Sequence, residues 1–180
     1  MNIVVYCSSR DSLDDKYQQL ATALGQWIGQ KGHTLLYGGS NAGLMHVTAQ
    51  ATHQSGGHVV GVIPEIFRHR IDPICDEVVY TANLADRKQH MIERGDVFIV
   101  LPGGIGTLDE WISTMTVMCI GEDDTRPIVV ADLDGLFQDT VNQLATITRT
   151  PFARGKDLNR TLVTHSTDEL LHTLNDLTGE

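Results

Sequence analysis

VFIVLPGGIGTLDEW, Val97 to Trp111, is the stretch whose reading decides the fold. Its first five residues, Val97 to Leu101, are apolar and rich in β-branched and aromatic side chains, as in a strand buried on both faces of a parallel sheet. Pro102 ends the strand, and Gly103, Gly104 and Gly106 make a turn that few other residues could follow. Thr107 opens an amphipathic run in which Leu108, Trp111, Ile112, Met115 and Cys119 fall at helical spacing. A buried strand thus passes through a glycine turn directly into a helix N-terminus. Backbone amides and the helix dipole favour an anion there, and phosphate is the usual one. Asp109 and Glu110 add two carboxylates to the same first turn.

The same grammar repeats on either side of this stretch. Asn2 to Tyr6 reads as a first strand, followed by the polar turn CSSRDS. Leu13, Tyr17, Leu20, Leu24, Trp27 and Ile28 trace one face of a helix that stops near Gly32. Thr34 to Tyr37 is a second strand running into a second glycine turn, GGSNAG, Gly38 to Gly43. A helix from Leu44 to about Ser55 and a strand from His58 to Ile63, closed by Pro64, come next. Glu65 to Val79 reads as irregular, a loop over a site, with Arg68, His69 and Arg70 in it. Asn83 is placed to cap a helix through Arg94, which Gly95 ends. Beyond Cys119, Pro127 to Ala131 is a strand, Leu136 to Ile147 a helix, Leu162 to Thr164 a short strand, and Thr167 starts a last helix. Strands alternating with helices predict an α/β, Rossmann-like, three-layer fold: a parallel sheet with helices on both faces, residues 1–180 forming one nucleotide-binding domain. In such sheets ligands bind beyond the carboxyl ends of the strands, where both glycine turns sit and can line one crevice.

Composition narrows the function. With 41% hydrophobic and 20% charged residues, and no apolar run near a membrane span, the chain has the make-up of a globular protein that needs no membrane. MNIVVY starts at once as a strand, with no secretory signal before it. Cys7, Cys75 and Cys119 are scattered and in no CxxC spacing, which predicts reduced thiols and a cytoplasmic protein. A net charge of −10 argues against a nucleic-acid partner.

Several chemistries lack their motif. A dinucleotide fingerprint needs GxGxxG after the first strand, where this chain has CSSRDS; around Gly104 and Gly106 an acid, Asp109, stands where the third glycine belongs. There is no GxxxxGK[ST] and no GxSxG. His46 and His53, i and i+7 on one helix, have no metal-ligand spacing, so no metal is expected. Thr107 to Glu110 has the spacing of a capping box, in which Glu110 would be committed to its own backbone; on spacing alone that is the commoner arrangement. Asp86-Arg87-Lys88 on the preceding helix reads from pattern alone more readily as a solvated face, although Arg87, His90 and Arg94 share one side of that helix. A guanidinium near an anion site can hold phosphate through two bonds. Nothing around Lys88 suggests the apolar pocket of a Schiff-base lysine.

PGGIGTLDE, Pro102 to Glu110, resembles the PGGxGTxxE signature of the Lonely Guy (LOG) family of cytokinin riboside 5′-monophosphate phosphoribohydrolases. LLYGGSNAGLMHVTAQAT, Leu35 to Thr52, is similar to that family's VYGGGxxGLMG segment, VVGVIP matches as well, and the likeness runs in order from Ile3 to Ala131. The resemblance implies hydrolysis of the N-glycosidic bond of AMP, or an N6-substituted AMP, to free base and ribose 5-phosphate, with no cofactor and in a homodimer. It implies Arg87 and Glu110 as the catalytic pair. Gly103, Gly104, Gly106 and Thr107 would hold the 5′-phosphate, with Gly39, Ser40, Ser8 and Lys88 framing the nucleotide. The family's MHERK is LADRK here and its CGSS is CSSR, departures that bear on contacts to the base. A non-catalytic carrier of a nucleotide or molybdopterin-type cofactor on the same fold is the alternative, ahead of a DNA-binding relative and an NAD-dependent oxidoreductase. A carrier has no need of the Arg87/Glu110 pair.

Overall fold

A computed structural model describes residues 1–120, 124–153 and 161–179. The elements run β1 (Asn2–Tyr6), α1 (Asp15–Gln30), β2 (Thr34–Tyr37), α2 (Gly43–Gln54), β3 (His58–Pro64), a 3-10 segment (Glu65–Arg70), β4 (Glu77–Thr81), α3 (Leu84–Arg94), β5 (Val97–Val100), α4 (Ile105–Ile120), β6 (Ile128–Ala131), α5 (Gln138–Thr148), β7 (Thr161–Thr164) and α6 (Thr167–Thr178). All pairings between strands are parallel, in the order β4-β3-β2-β1-β5-β6-β7. The chain steps outward from β1 to β4, then returns to β1's other side with β5. The switch point therefore lies between β1 and β5.

Alternation along the buried strands divides the interior into two layers. Ile3, Val5, Leu35, Tyr37, Val97 and Ile99 face Leu20, Leu24 and Ile28 of α1, Leu44 and Ala49 of α2, and Leu170 and Leu174 of α6. Val4, Tyr6, Leu36, Phe98 and Val100 face Met91 and Ile92 of α3 and Trp111 and Met118 of α4. Each such side chain contributes about 1.5–3 kcal/mol by leaving water, so both faces hold the sheet rigid beneath its loops. The three-layer α/β architecture is the one expected.

Two local expectations need correction. The stretch from Glu65 to Val79 is not irregular throughout: it begins with the 3-10 segment and ends in β4, which pairs with β3 from Val60↔Glu77 to Pro64↔Thr81. This strand lies at the sheet edge and is only half covered, so it lacks the unbroken apolar run that marks β5. The central helix also starts two residues early, at Ile105, because the Leu108 amide bonds the Gly104 carbonyl at 3.1 Å.

Candidate active site

The loops at the carboxyl ends of β1, β2 and β5 are tied to one another by backbone. The Ser8 amide donates to the Pro102 carbonyl at 3.2 Å, and the Ser8 carbonyl accepts from Leu44 at 3.0 Å and Met45 at 3.3 Å. Ser8 thus joins all three loops, while its hydroxyl accepts from the Arg10 amide at 3.1 Å. Because β1 lies between β2 and β5, the two glycine turns flank the Ser8 loop.

Arg87 spans the gap between them. It sits one turn into α3, whose start is fixed by Asn83: the side chain accepts from the Asp86 amide at 2.9 Å. Its guanidinium runs beside Gly38, where a Cβ would come within 3.2 Å of Nη1, and it hydrogen-bonds the Glu110 carboxylate through Nη2. The Arg87 side chain is 13% exposed and that of Glu110 3%. Among the described residues, buried Arg87 Nε has no hydrogen-bond partner.

Glu110 is therefore not closed into a capping box. With the helix begun at Ile105, Thr107 lies inside the first turn, and the Glu110 carboxylate points to Arg87. Burial pushes the Glu110 carboxyl up to about 7; Arg87 opposes this, nearby Asp109 adds to it, and Lys88 opposes it weakly. Below it, the Thr114 hydroxyl donates to the Glu110 carbonyl at 2.8 Å and pairs with the Tyr6 hydroxyl at 2.8 Å. Burial raises both Tyr6 and Cys7 well above their ordinary values, with the Glu110 charge adding to it, so neither supplies a charge here.

The remaining expected residues divide by position. Gly103 must be glycine, since a Cβ there would collide with the buried Thr107 side chain. Gly104 and Gly106 are exposed with nothing within 4 Å of a Cβ position, so the first amides of α4 lie open to a ligand. Ser40 lines a cleft of about 130 Å³ beside Arg87, with Ser9, Gly38, Met45, Phe67 and Arg70. Gly39 is buried behind that wall, at φ +72°. Lys88 does not turn toward the cleft: its Nζ lies 2.7 Å from each Asp109 oxygen and 3.0 Å from Ser113 Oγ. Nor does the Arg87 face act as one, for Arg94 turns to Glu77 at 2.8 Å and to His90 at 3.3 Å. Among the described residues no cluster of His, Cys, Asp or Glu could hold a metal ion, and His46 pairs with Asp72. Sequence reasoning missed Met45, Ile63 and Phe67 as cleft residues; the position of GVIP at the carboxyl end of a strand was the available signal.

The chain matches the family model described as possible lysine decarboxylase over residues 45–174. It is 35% identical over 171 residues to a Mycobacterium marinum protein named cytokinin riboside 5′-monophosphate phosphoribohydrolase, covering 94% of this chain and 90% of that protein. A Mycobacterium tuberculosis protein of the same name is 39% identical over 137 residues, 75% of this chain and 72% of its own length. Among solved structures, the molybdenum cofactor binding protein of Rippkaea orientalis superposes with a TM-score of 0.77 at 21% identity, covering 98% of this chain and 96% of that one, a likeness of fold alone. No helix among the described residues is long and apolar enough to cross a membrane. On its sequence matches the chain belongs to the Lonely Guy (LOG) family, whose model keeps the older lysine decarboxylase description.

Proposed function

We propose that this chain is a phosphoribohydrolase that cleaves AMP or an N6-substituted AMP at the C1′–N9 bond, giving free base and ribose 5-phosphate. The curated names of its relatives support the reaction. The observation that carries the residue assignment is the Arg87–Glu110 pair, buried between two glycine turns at the topological switch point. The exposed amides of Gly104, Ile105 and Gly106 at the start of α4 take the 5′-phosphate, with Gly103 and Thr107 shaping the turn. Glu110, one turn along the helix, then faces the ribose.

Breaking C1′–N9 builds positive charge on the sugar, and a carboxylate beside C1′ stabilises it. The ionised Glu110 takes a proton from the attacking water as the C1′–O bond forms, and the base leaves with the C1′–N9 electron pair and takes a proton from solvent, to which Glu110 afterwards returns its own. A carboxyl near 7 has the basicity this role needs around neutral pH. Arg87 keeps that carboxylate oriented and ionised. Lys88 acts indirectly, by fixing Asp109. The chain works as a single domain, in the cytoplasm, as a homodimer; Val117 and Ile120, exposed on α4, are among the apolar side chains that offer a surface to a second copy.

Glu110→Gln keeps the shape and removes the charge. Chromatography of an AMP reaction should show adenine release falling about 10²-fold or more with the fold intact. Full activity in this variant removes Glu110 from the chemistry. A chain that binds AMP and never releases adenine is a carrier.

A further inference from the structure

The cleft wall opposite Arg87 rests on a buried carboxylate that the reaction does not use. Asp72 is 1% exposed. Its Oδ2 lies 2.7 Å from His46 Nδ1 on α2, and its Oδ1 accepts from the Ile74 amide at 3.2 Å. Its own amide donates to the Gly39 carbonyl at 2.8 Å, and its carbonyl accepts from the Cys75 amide at 3.2 Å. One residue thus ties the segment after the 3-10 turn both to the glycine turn of β2 and to α2.

The surroundings make that segment a fixed plate. Ser40 bridges Ile71, and the Asn41 amide donates to the Arg70 carbonyl at 2.9 Å. Gly39, at φ +72°, lets the backbones close: a Cβ there would lie 3.1 Å from Ile71 Cδ1 and 3.4 Å from Gly61 Cα. Tyr37 completes the buried side with its hydroxyl 3.3 Å from Cys75 Sγ. What the plate carries into the cleft is Phe67 and Arg70, and what α2 carries there is Met45, the residue before His46. The His46–Asp72 contact is therefore the side-chain strut between those two walls, added to the backbone ties at Gly39, Ser40 and Asn41. The exposed 3-10 segment has no buried residue of its own to hold it.

Resting on the proposed cleavage of AMP, with the cleft beside Arg87 receiving part of the nucleotide, we infer that Asp72 and His46 are positioning residues, which touch no substrate but hold Phe67, Arg70 and Met45 at the spacing the nucleotide requires. An interaction that serves binding alone raises KM when lost and leaves kcat in place. A merely structural role would lower the melting temperature and the active fraction, and so kcat, with KM unmoved.

The test is Asp72→Asn and His46→Ala, assayed for adenine release from AMP, with AMP affinity measured by calorimetry in a Glu110→Gln background. We expect KM and the AMP dissociation constant each to rise about tenfold with kcat within threefold of wild type. The double variant should be no worse than the poorer single one, because both remove one contact. Should Asp72→Asn fail to fold, His46→Ala, at the more exposed end of the pair, carries the test by itself. Wild-type KM in the variants, or a loss confined to kcat, overturns the inference while leaving the site reading intact. A wild-type chain that neither binds AMP nor releases adenine overturns both.

Discussion

Two ion pairs join the same two helices one residue apart, and they differ in how much water reaches the carboxylate. The two cations are covered to a similar degree, but Arg87 meets a buried carboxylate, Glu110, whereas Lys88 meets Asp109, whose side chain is 55% exposed. Adjacent residues on a helix point about 100° apart, so one pair turns into the switch-point crevice and the other out along the helix surface. Burial raises Glu110 to about 7, whereas exposed Asp109 acts on it only as a neighbouring charge. A carboxylate beside a cation in a sequence therefore says little about chemistry until the solvent around it is known. The difference between the two pairs is what mutation should expose, and the inner pair should dominate.

The largest effect belongs to Arg87→Ala. It leaves Glu110 buried without its cation, so the carboxyl moves higher still and is protonated at neutral pH. Turnover of AMP should drop about 10²-fold or more, and the acid limb of kcat/KM, near 7 in the wild type, should shift upward. An unshifted limb would mean that some other group sets it. Stability gives an independent check. The folded Glu110 value lies above its ordinary 4.5, so between pH 4.5 and about 7 the folded chain keeps a proton that the unfolded chain has lost. Stability from this group therefore falls across that window, and the penalty is complete above it. Glu110→Gln removes the dependence: its melting temperature relative to wild type should be higher at pH 8 than at pH 5, measured by calorimetry.

A smaller effect separates the two glycines of the turn. Gly104→Ala meets nothing within 4 Å and should melt like wild type. Its methyl would nonetheless stand at the open start of α4, so KM for AMP should rise about tenfold if phosphate binds there. Gly103→Ala instead drives a methyl into Thr107 and should lower the melting temperature. Equal KM for Gly104→Ala and wild type would move the phosphate elsewhere.

Much of this was legible in the residues. β5 announced itself by the apolar run from Val97 to Leu101, of which the strand takes the first four residues, and Asn83 capped the helix it was placed to cap. The failures share a cause. β4 is an edge strand covered on one side, and because it was not foreseen, neither was Glu77 as the partner that draws Arg94 out of Arg87's company. The early start of α4 rests on the Gly104 carbonyl accepting from Leu108, a bond that a run of glycines does not advertise. That start decides whether Glu110 caps its own helix or reaches across 23 residues to Arg87. Helical periodicity shows which residues share a face, but what stands opposite depends on strand order. The apolar cleft side chains, Met45, Ile63 and Phe67, come from α2, the end of β3 and the 3-10 segment, elements that only the fold brings around one cleft.

The smallest expected effect is the one most able to upset the comparison. Lys88→Ala breaks contacts to Asp109 and Ser113, with the aspartate largely in solvent. Exposed pairs are worth about 0.2–1 kcal/mol because water screens them and holding two long side chains together costs entropy. For a chain of this size that is a fall of at most about 4 °C in melting temperature. Activity should stay within threefold, since Lys88 lowers the Glu110 carboxyl only weakly beside Arg87. Asp109→Asn should match it, and should shift the acid limb slightly downward by removing a negative neighbour. If Lys88→Ala instead raised KM for AMP more than tenfold while Asp109→Asn did not, the lysine would have to leave Asp109 when nucleotide binds. The outer pair would then be a resting position for a substrate-binding cation, and the contrast between the pairs would hold only for the unliganded protein.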